Sequence, residues 1–61
     1  MKSSELIKIL KQEGWYEVKQ KGSHIRFRHS DFSYYIIVPN HGAKEVPKGT
    51  ELTILKQARL R

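Results

Sequence analysis

Apolar residues near the start of the chain follow helical spacing. Leu6, Ile9 and Leu10 recur at intervals of three and four, which places them on one face of a helix. The hydroxyl groups of Ser3–Ser4 are suited to capping its first turn. Gly14 follows where a left-handed residue commonly ends a helix. The pattern predicts a first helix that begins at these serines and ends before Gly14.

The middle of the chain changes to the two-residue alternation of strands. Three segments rich in β-branched and aromatic residues are separated by turn-forming residues, and we expect them to form an antiparallel sheet. Glycine accepts positive φ, so Gly22 is expected in the first turn, and Pro39 should end the third strand because it has no amide to donate. The predicted strands are Trp15–Gln20, Ser23–Arg28 and Tyr34–Val38.

Each predicted strand assigns its side chains to faces. In the first, Tyr16 and Val18 should lie opposite Glu17 and Lys19. In the second, Ile25 and Phe27 alternate with charged residues and should enter the core. The third is apolar on both faces, so one face should pack on the helices. The other is expected to expose Tyr34, Ile36 or Val38 to a partner.

The last third of the chain predicts a loop over residues 40–49 and then a second helix. Thr50 is expected to cap this helix, with Leu52, Leu55 and Ala58 on its apolar face. The predicted fold is a single α+β domain over residues 1–61 with the order α-β-β-β-α. Both helices should cover one face of a three-stranded antiparallel sheet and leave the other face open.

Composition favours an anionic partner. Twelve Lys and Arg residues against six acidic ones give a net charge of +6, and residues 19–28 contribute four positive charges with no acid. The chain has no cysteine, which suits a reducing compartment. No apolar segment approaches the roughly 18 residues of a membrane span, and no secretory signal is evident. We therefore expect a cytoplasmic protein that does not bind a membrane.

The basic segment also carries candidate chemistry. His24, Arg26 and Arg28 should share the solvated face of the second strand, and an imidazole exchanges protons near neutral pH. Gly22 allows close approach of a substrate, Ser23 offers a hydroxyl group, and arginine is suited to phosphate. The arrangement makes His24 a candidate for RNA cleavage. The RNA-binding residues predicted around it are Lys19, Lys21, Gly22, Ser23, Arg26 and Arg28.

Other interpretations of the same residues remain open. The strip could bind nucleic acid without cleaving it, or the apolar third strand could dock a protein while the charges keep the domain soluble. His29 is expected to be a surface residue beside a turn, and His41 a loop residue. Neither has the spacing of a metal site with the scattered acids, so we expect no metal and no cofactor.

Several short segments of the chain form a recognisable set in their order and spacing. They are Ser3–Leu10 with Gly14–Trp15, Lys21–His24 with Phe27, Val38–His41, Lys48–Thr50 and Ile54–Ala58. In these motifs the chain resembles the HicA toxins, small bacterial ribonucleases of the HicA–HicB toxin–antitoxin systems. The resemblance covers nearly the whole length.

This resemblance implies a fold like that of double-stranded-RNA-binding domains and cleavage of mRNA. It also implies that His24 of the Gly-Ser-His motif is the catalytic residue, covered by a HicB-like antitoxin partner. Two residues depart from the family pattern, both in or near the second helix. Glu51 stands where an apolar residue is common, and Arg59 where a glycine commonly follows Gln-Ala.

Overall fold

The computed structural model describes residues 1–60, which form two helices and three strands in the predicted order. The elements are α1 (Ser3–Gln12), β1 (Tyr16–Lys21), β2 (His24–Arg28), β3 (Ile36–Pro39) and α2 (Lys48–Gln57). The strands form an antiparallel sheet in the order β1-β2-β3, with β2 in the centre. The α+β prediction is confirmed over this range; residue 61 of the predicted domain lies outside it.

One hydrophobic core joins both helices to a single face of the sheet. Ile25 and Phe27 of β2 and Ile36 and Val38 of β3 are each at most 1% exposed. Leucines of α1 and the apolar face of α2 pack over them, and Trp15 closes one end. The whole cluster comprises Leu6, Leu10, Trp15, Ile25, Phe27, Ile36, Val38, Val46, Ile54, Leu55 and Ala58.

The third strand differs from its prediction in start and in orientation. It begins at Ile36, two residues later than expected, and includes Pro39 as its last residue. The expectation that Ile36 and Val38 are exposed is wrong, because the pairing with β2 directs both into the core. Tyr34 precedes the strand, and its hydroxyl group donates to the carbonyl oxygen of Gln57 at the end of α2.

The start of α1 is stabilised differently from the prediction of a serine cap. Lys2 is the N-cap residue, and its amide donates to Glu5 Oε1 at 2.9 Å. The amides of Ser3 and Ser4 donate to carbonyl oxygens of the loop over residues 42–44, at 3.1 Å each. The Ser3 side chain is buried instead. Tertiary contacts therefore satisfy the amides that local hydroxyl groups were expected to satisfy.

The second helix starts earlier than predicted. Pro47 is its N-cap residue, so Thr50 lies inside the first turn and does not cap it. The buried residues on its core-facing side are Glu51, Ile54, Leu55 and Ala58. The last three follow Glu51 by three, four and seven residues, which is helical spacing. Leu52, expected on this face, is exposed. Glu51 therefore occupies the core-facing position that an apolar residue fills in the family pattern.

Both helices end in the same hydrogen-bonded turn, with a left-handed residue just past the cap. After α1 this residue is Gly14, at φ +95°, as predicted. After α2 it is Arg59, at φ +65°. The Leu60 amide donates to Leu55 and the Arg59 amide to Lys56, which is the Schellman pattern. Because glycine adopts positive φ without a Cβ clash, this geometry agrees with the glycine that the resemblance led us to expect in place of Arg59.

Trp15 fills the junction between α1 and the sheet. It is 2% exposed and stacks on Phe32, with ring centroids 5.5 Å apart. His29 meets it edge-on at 5.2 Å. The His29 Nε2 lies 2.9 Å from the Glu13 carbonyl oxygen, and Nδ1 accepts from the Asp31 amide at 3.0 Å. His29 is thus a packing residue with both ring nitrogens engaged, not a free surface histidine.

The amino terminus is tied to the core through acidic side chains. The Met1 amino nitrogen lies 2.8 Å from a carboxylate oxygen of Glu45 and 2.8 Å from one of Glu51, which is only 3% exposed. The Lys48 ammonium group lies 3.3 Å from Glu51. Hydrogen bonding to Glu45 and Glu51 raises the pKa of the amino group above 8.0. The amino group, and Lys48 after it, lower the pKa of Glu51 below 4.5.

Within residues 1–60, neither helix has the length and apolar character needed to cross a bilayer.

We expect the melting temperature to be highest between about pH 4.5 and pH 8.0. Because the pKa of Glu51 is lowered in the folded protein, its contribution to the stability is present above pH 4.5 and is lost on acidification. Because the pKa of the amino group is raised, its contribution to the stability is present below pH 8.0 and is lost at alkaline pH. Glu51→Gln should lower the melting temperature at neutral pH. It should also reduce the fall in melting temperature on both the acidic and the alkaline side. Glu45→Gln is the matched comparison: it should weaken the alkaline side, since Glu45 also raises the pKa of the amino group, and leave the acidic side, which depends on Glu51, nearly unchanged. Equal melting curves for Glu51→Gln and the parent would refute this account.

Candidate nucleic-acid interface

The central strand presents the candidate site on the face of the sheet away from the helices. Burial of Ile25 and Phe27 requires the alternate residues of β2 to point the other way. His24 and Arg26 are exposed there, and Arg28 is half-buried. The predicted shared face of these three residues is confirmed by this alternation.

A β-bulge in the first strand aligns its lysines with that face. Glu17 pairs with Phe27 and Lys19 pairs with Arg26, so Val18 is an extra residue on β1. Residues directly opposite in an antiparallel pair share a face, so Lys19 lies beside Arg26 and on the same side as Tyr16. The prediction that Lys19 shares a face with Glu17 is wrong, because the bulge reverses the alternation.

A tight turn joins the two strands next to the histidine. Lys21 pairs with His24, which leaves Gly22 and Ser23 as a two-residue loop. Gly22 has φ +60°, and a positive φ at the first loop position is typical of a type II′ hairpin. The side-chain amide of Gln20 donates to the Gly22 carbonyl oxygen at 3.0 Å. The turn therefore fixes Lys21 and His24 side by side.

These residues surround an open depression with a volume of about 610 Å³. Cationic groups come from both strands, and the imidazole lies among them. The lining residues are Lys19, Lys21, Gly22, His24, Arg26 and Ile37. Five of the seven site residues predicted from the sequence are thus brought together.

The other two predicted site residues, Ser23 and Arg28, are not among the residues that line the depression. Ser23 is half-buried in the turn, and its carbonyl oxygen accepts from the Asn40 amide at 2.6 Å. Arg28 pairs with Tyr16 at the far end of β2. Arg28 shares the open face with the depression, whereas Ser23 contributes mainly to holding the turn against the end of β3.

Two further residues on this face were not predicted as part of the site. Ile37 pairs with Arg26 from the β3 side and is 43% exposed. Tyr35 precedes β3 and is 48% exposed, with the Arg26 guanidinium carbon 4.4 Å from its ring centroid. Their sequence signal was the run of apolar residues in the third strand. The face was assigned incorrectly because the register with Phe27 was not known.

The remaining histidines do not join His24. His29 lies in the Trp15 cluster, and His41 is exposed in the loop after β3. Among residues 1–60, no group of three or more histidine and acidic side chains is placed to hold a metal ion.

Comparison with protein families matches residues 3–60 to the model described as the HicA toxin of bacterial toxin–antitoxin systems. The chain belongs to the HicA toxin family. No curated protein matches the chain at a significant level. The match includes the entire hairpin that carries His24 and both helices of this HicA toxin.

Within this HicA toxin, Gly22→Val should destabilise the fold by about 1–2 kcal/mol, because a β-branched residue resists positive φ. The cost comes from backbone strain at positive φ, since no atom outside the turn lies within 4 Å of the position of an added Cβ. Gly49→Ala is the matched control. Gly49 also has open space around it but lies in α2, so alanine should leave stability unchanged or raise it.

Chemical denaturation of both variants measures the difference. A Gly22→Val protein as stable as the parent would show that the left-handed turn does not constrain this position.

Proposed function

We propose that this HicA toxin is an endoribonuclease that cleaves mRNA, with His24 as its catalytic residue. Cleavage would inhibit translation and growth, and a HicB-like antitoxin would neutralise the toxin. The proposal requires no metal ion and no cofactor, because the reaction can be carried out with the substrate's own nucleophile and the side chains named below.

The position of His24 within the depression is the observation that carries the proposal. Its β1 neighbour is Lys21, and Arg26 follows two residues later on the same face, opposite Lys19. A phosphodiester held by these cations would bring its ribose within reach of an imidazole. A histidine used only for solubility would not need to line a depression together with three cationic side chains.

The chemistry follows from the substrate. The ribose 2′-hydroxyl group attacks the adjacent phosphorus when a base removes its proton, and the leaving 5′-oxygen needs a proton in return. His24 would serve as the base or as the acid. The negative charge that develops on the phosphate oxygens would be stabilised by Arg26, which contacts the Tyr35 ring, and by Lys21, which pairs with His24.

The remaining predicted residues have supporting roles in this proposal. Lys19 and Arg28 would bind flanking phosphates and fix the path of the strand without selecting bases. Gly22 would let the RNA backbone approach the turn closely. Ser23 is half-buried, so it would act through the turn geometry and a single hydroxyl group.

We expect His24→Ala to reduce cleavage of RNA by at least about a hundredfold, the lower end of what a positioned acid or base contributes. The side chain is exposed, so the stability should change by less than about 1 kcal/mol. Affinity for RNA should be largely retained, because the four neighbouring cations remain. Melting temperature, RNA affinity and cleavage rate are to be measured on the same protein with EDTA present.

His41→Ala is the matched control, because it removes an exposed histidine that is not among the residues that line the depression. It should cleave at the parent rate. Products of the parent should carry 2′,3′-cyclic or 3′-phosphate ends. Full cleavage by folded His24→Ala would exclude His24 as the catalytic residue, and 5′-phosphate products would exclude 2′-hydroxyl attack.

An antitoxin partner follows from the family, and the open face is the surface we propose for it. The face combines cations with exposed apolar side chains, Tyr35 and Ile37 among them. A partner that places acidic residues on Arg26 and Arg28 would both neutralise the positive charge of the face and cover the depression. Covering the site is a direct way to inhibit an enzyme whose site is shallow.

We expect the HicB-like antitoxin to protect His24 from modification by diethyl pyrocarbonate. Both His24 and His41 are exposed in the free toxin and should react, as mass spectrometry of the modified protein would show. In the complex, His24 should become unreactive. His41 is the internal control for reagent activity in the free protein. A complex that inhibits cleavage but leaves His24 as reactive as in the free toxin would contradict direct occlusion.

A further inference from the structure

The open face contains apolar side chains that phosphate binding does not require. Ile37 lines the depression beside Arg26, and Tyr35 lies under the guanidinium group of the same arginine. Each is more than two fifths exposed. A surface that contacted phosphates alone would place polar donors at these positions, since apolar surface is favourable only when a ligand covers it.

The mixture of cations and apolar groups distinguishes two forms of RNA. An A-form duplex keeps its bases stacked inside and presents phosphates and 2′-hydroxyl groups. Its bases would therefore be unavailable to Tyr35 and Ile37. A single strand offers phosphates to the lysines and arginines and unpaired bases to the ring and the aliphatic side chain. The composition of this face therefore matches a single strand.

The contact between Tyr35 and Arg26 places the base-binding and phosphate-binding groups together. The guanidinium carbon lies 4.4 Å from the ring centroid, so the tyrosine holds the arginine at the edge of the depression. Ile37, two residues further along the same segment, pairs with Arg26 in the sheet. A nucleotide whose phosphate contacts Arg26 would have its base within reach of Tyr35 or Ile37.

We propose that Tyr35 and Ile37 form a nucleobase subsite beside His24, so that the site takes an unpaired nucleotide of single-stranded RNA. The inference rests on the proposed ribonuclease function and specifies its substrate. Tyr35 and Ile37 bind and position the nucleotide, whereas His24 acts on its ribose and phosphate.

The probe is a fluorescein-labelled 2′-O-methyl RNA of about 12 nucleotides, which has no free 2′-hydroxyl group and so is not cleaved. Tyr35→Ala should bind it at least about fivefold more weakly than the parent in fluorescence anisotropy. Tyr35→Phe should bind like the parent because it retains the ring. The salt dependence should be unchanged in Tyr35→Ala, since no charge is removed.

Two controls separate base contact from other effects. An abasic strand with the same backbone should bind equally to Tyr35→Ala and the parent. Leu52→Ala removes an exposed apolar residue from α2 and should not change affinity for any probe. Ile37→Thr keeps a β-branched residue in β3 and should weaken binding to the intact strand but not to the abasic strand, which tests the subsite independently of Tyr35.

Three results would overturn the subsite. The first is parent affinity of both Tyr35→Ala and Ile37→Thr for the intact strand. The second is an equal loss on intact and abasic strands, which would mean that Tyr35 acts only through Arg26. The third is tighter binding of the parent to the matching duplex. If the first result is accompanied by weaker antitoxin binding of Tyr35→Ala, the ring belongs to the partner surface.

Failure of the subsite is distinguishable from failure of the proposed function. Binding of the uncleaved probe does not depend on catalysis, whereas the function is tested by the cleavage rates of His24→Ala and the parent. A toxin that cleaves RNA through His24 but ignores the bases would retain the function and lose the subsite.

Discussion

The alternation of side chains along β2 is the constraint on which the rest of the structure depends. Ile25 and Phe27 are almost completely buried beneath the helices, and this burial directs the remaining side chains of the strand to the opposite face. A shift of one residue would bury His24 and Arg26 and expose the core. The hydrophobic effect that stabilises the domain therefore also presents the site, and the two cannot vary independently.

The neighbouring strands complete the site by different means. β1 contributes no buried side chain, and its bulge at Val18 turns Lys19 toward the side of Arg26. β3 buries alternate residues, so Ile37 is left beside Arg26 on the open face. The site therefore combines charge from β1 and β2 with apolar surface from β3. This combination suits a ligand that is both anionic and aromatic, as single-stranded RNA is.

The segments outside the sheet show how tertiary contacts replace local signals. Loop carbonyl oxygens of residues 42 and 44 accept from the first amides of α1, so a serine cap is not needed. Glu51 is core-facing because the Met1 amino group and Lys48 neutralise it. Arg59 adopts the left-handed geometry for which glycine is usual. The first amides of α1 and the Glu51 carboxylate thus have partners that are distant in the sequence. Arg59 has a backbone conformation that its residue type does not predict.

The sequence by itself determined the order of elements, the buried residues of β2 and the concentration of positive charge around His24, because helical and strand periodicities are local properties. The faces of β1 and β3 were decided by the tertiary structure. A bulge and a pairing register depend on where one strand meets another, and neither leaves a periodic signal within its own segment. For the same reason the sequence supplied Lys19 and His24 as site residues, while only the folded sheet placed Tyr35 and Ile37 beside them.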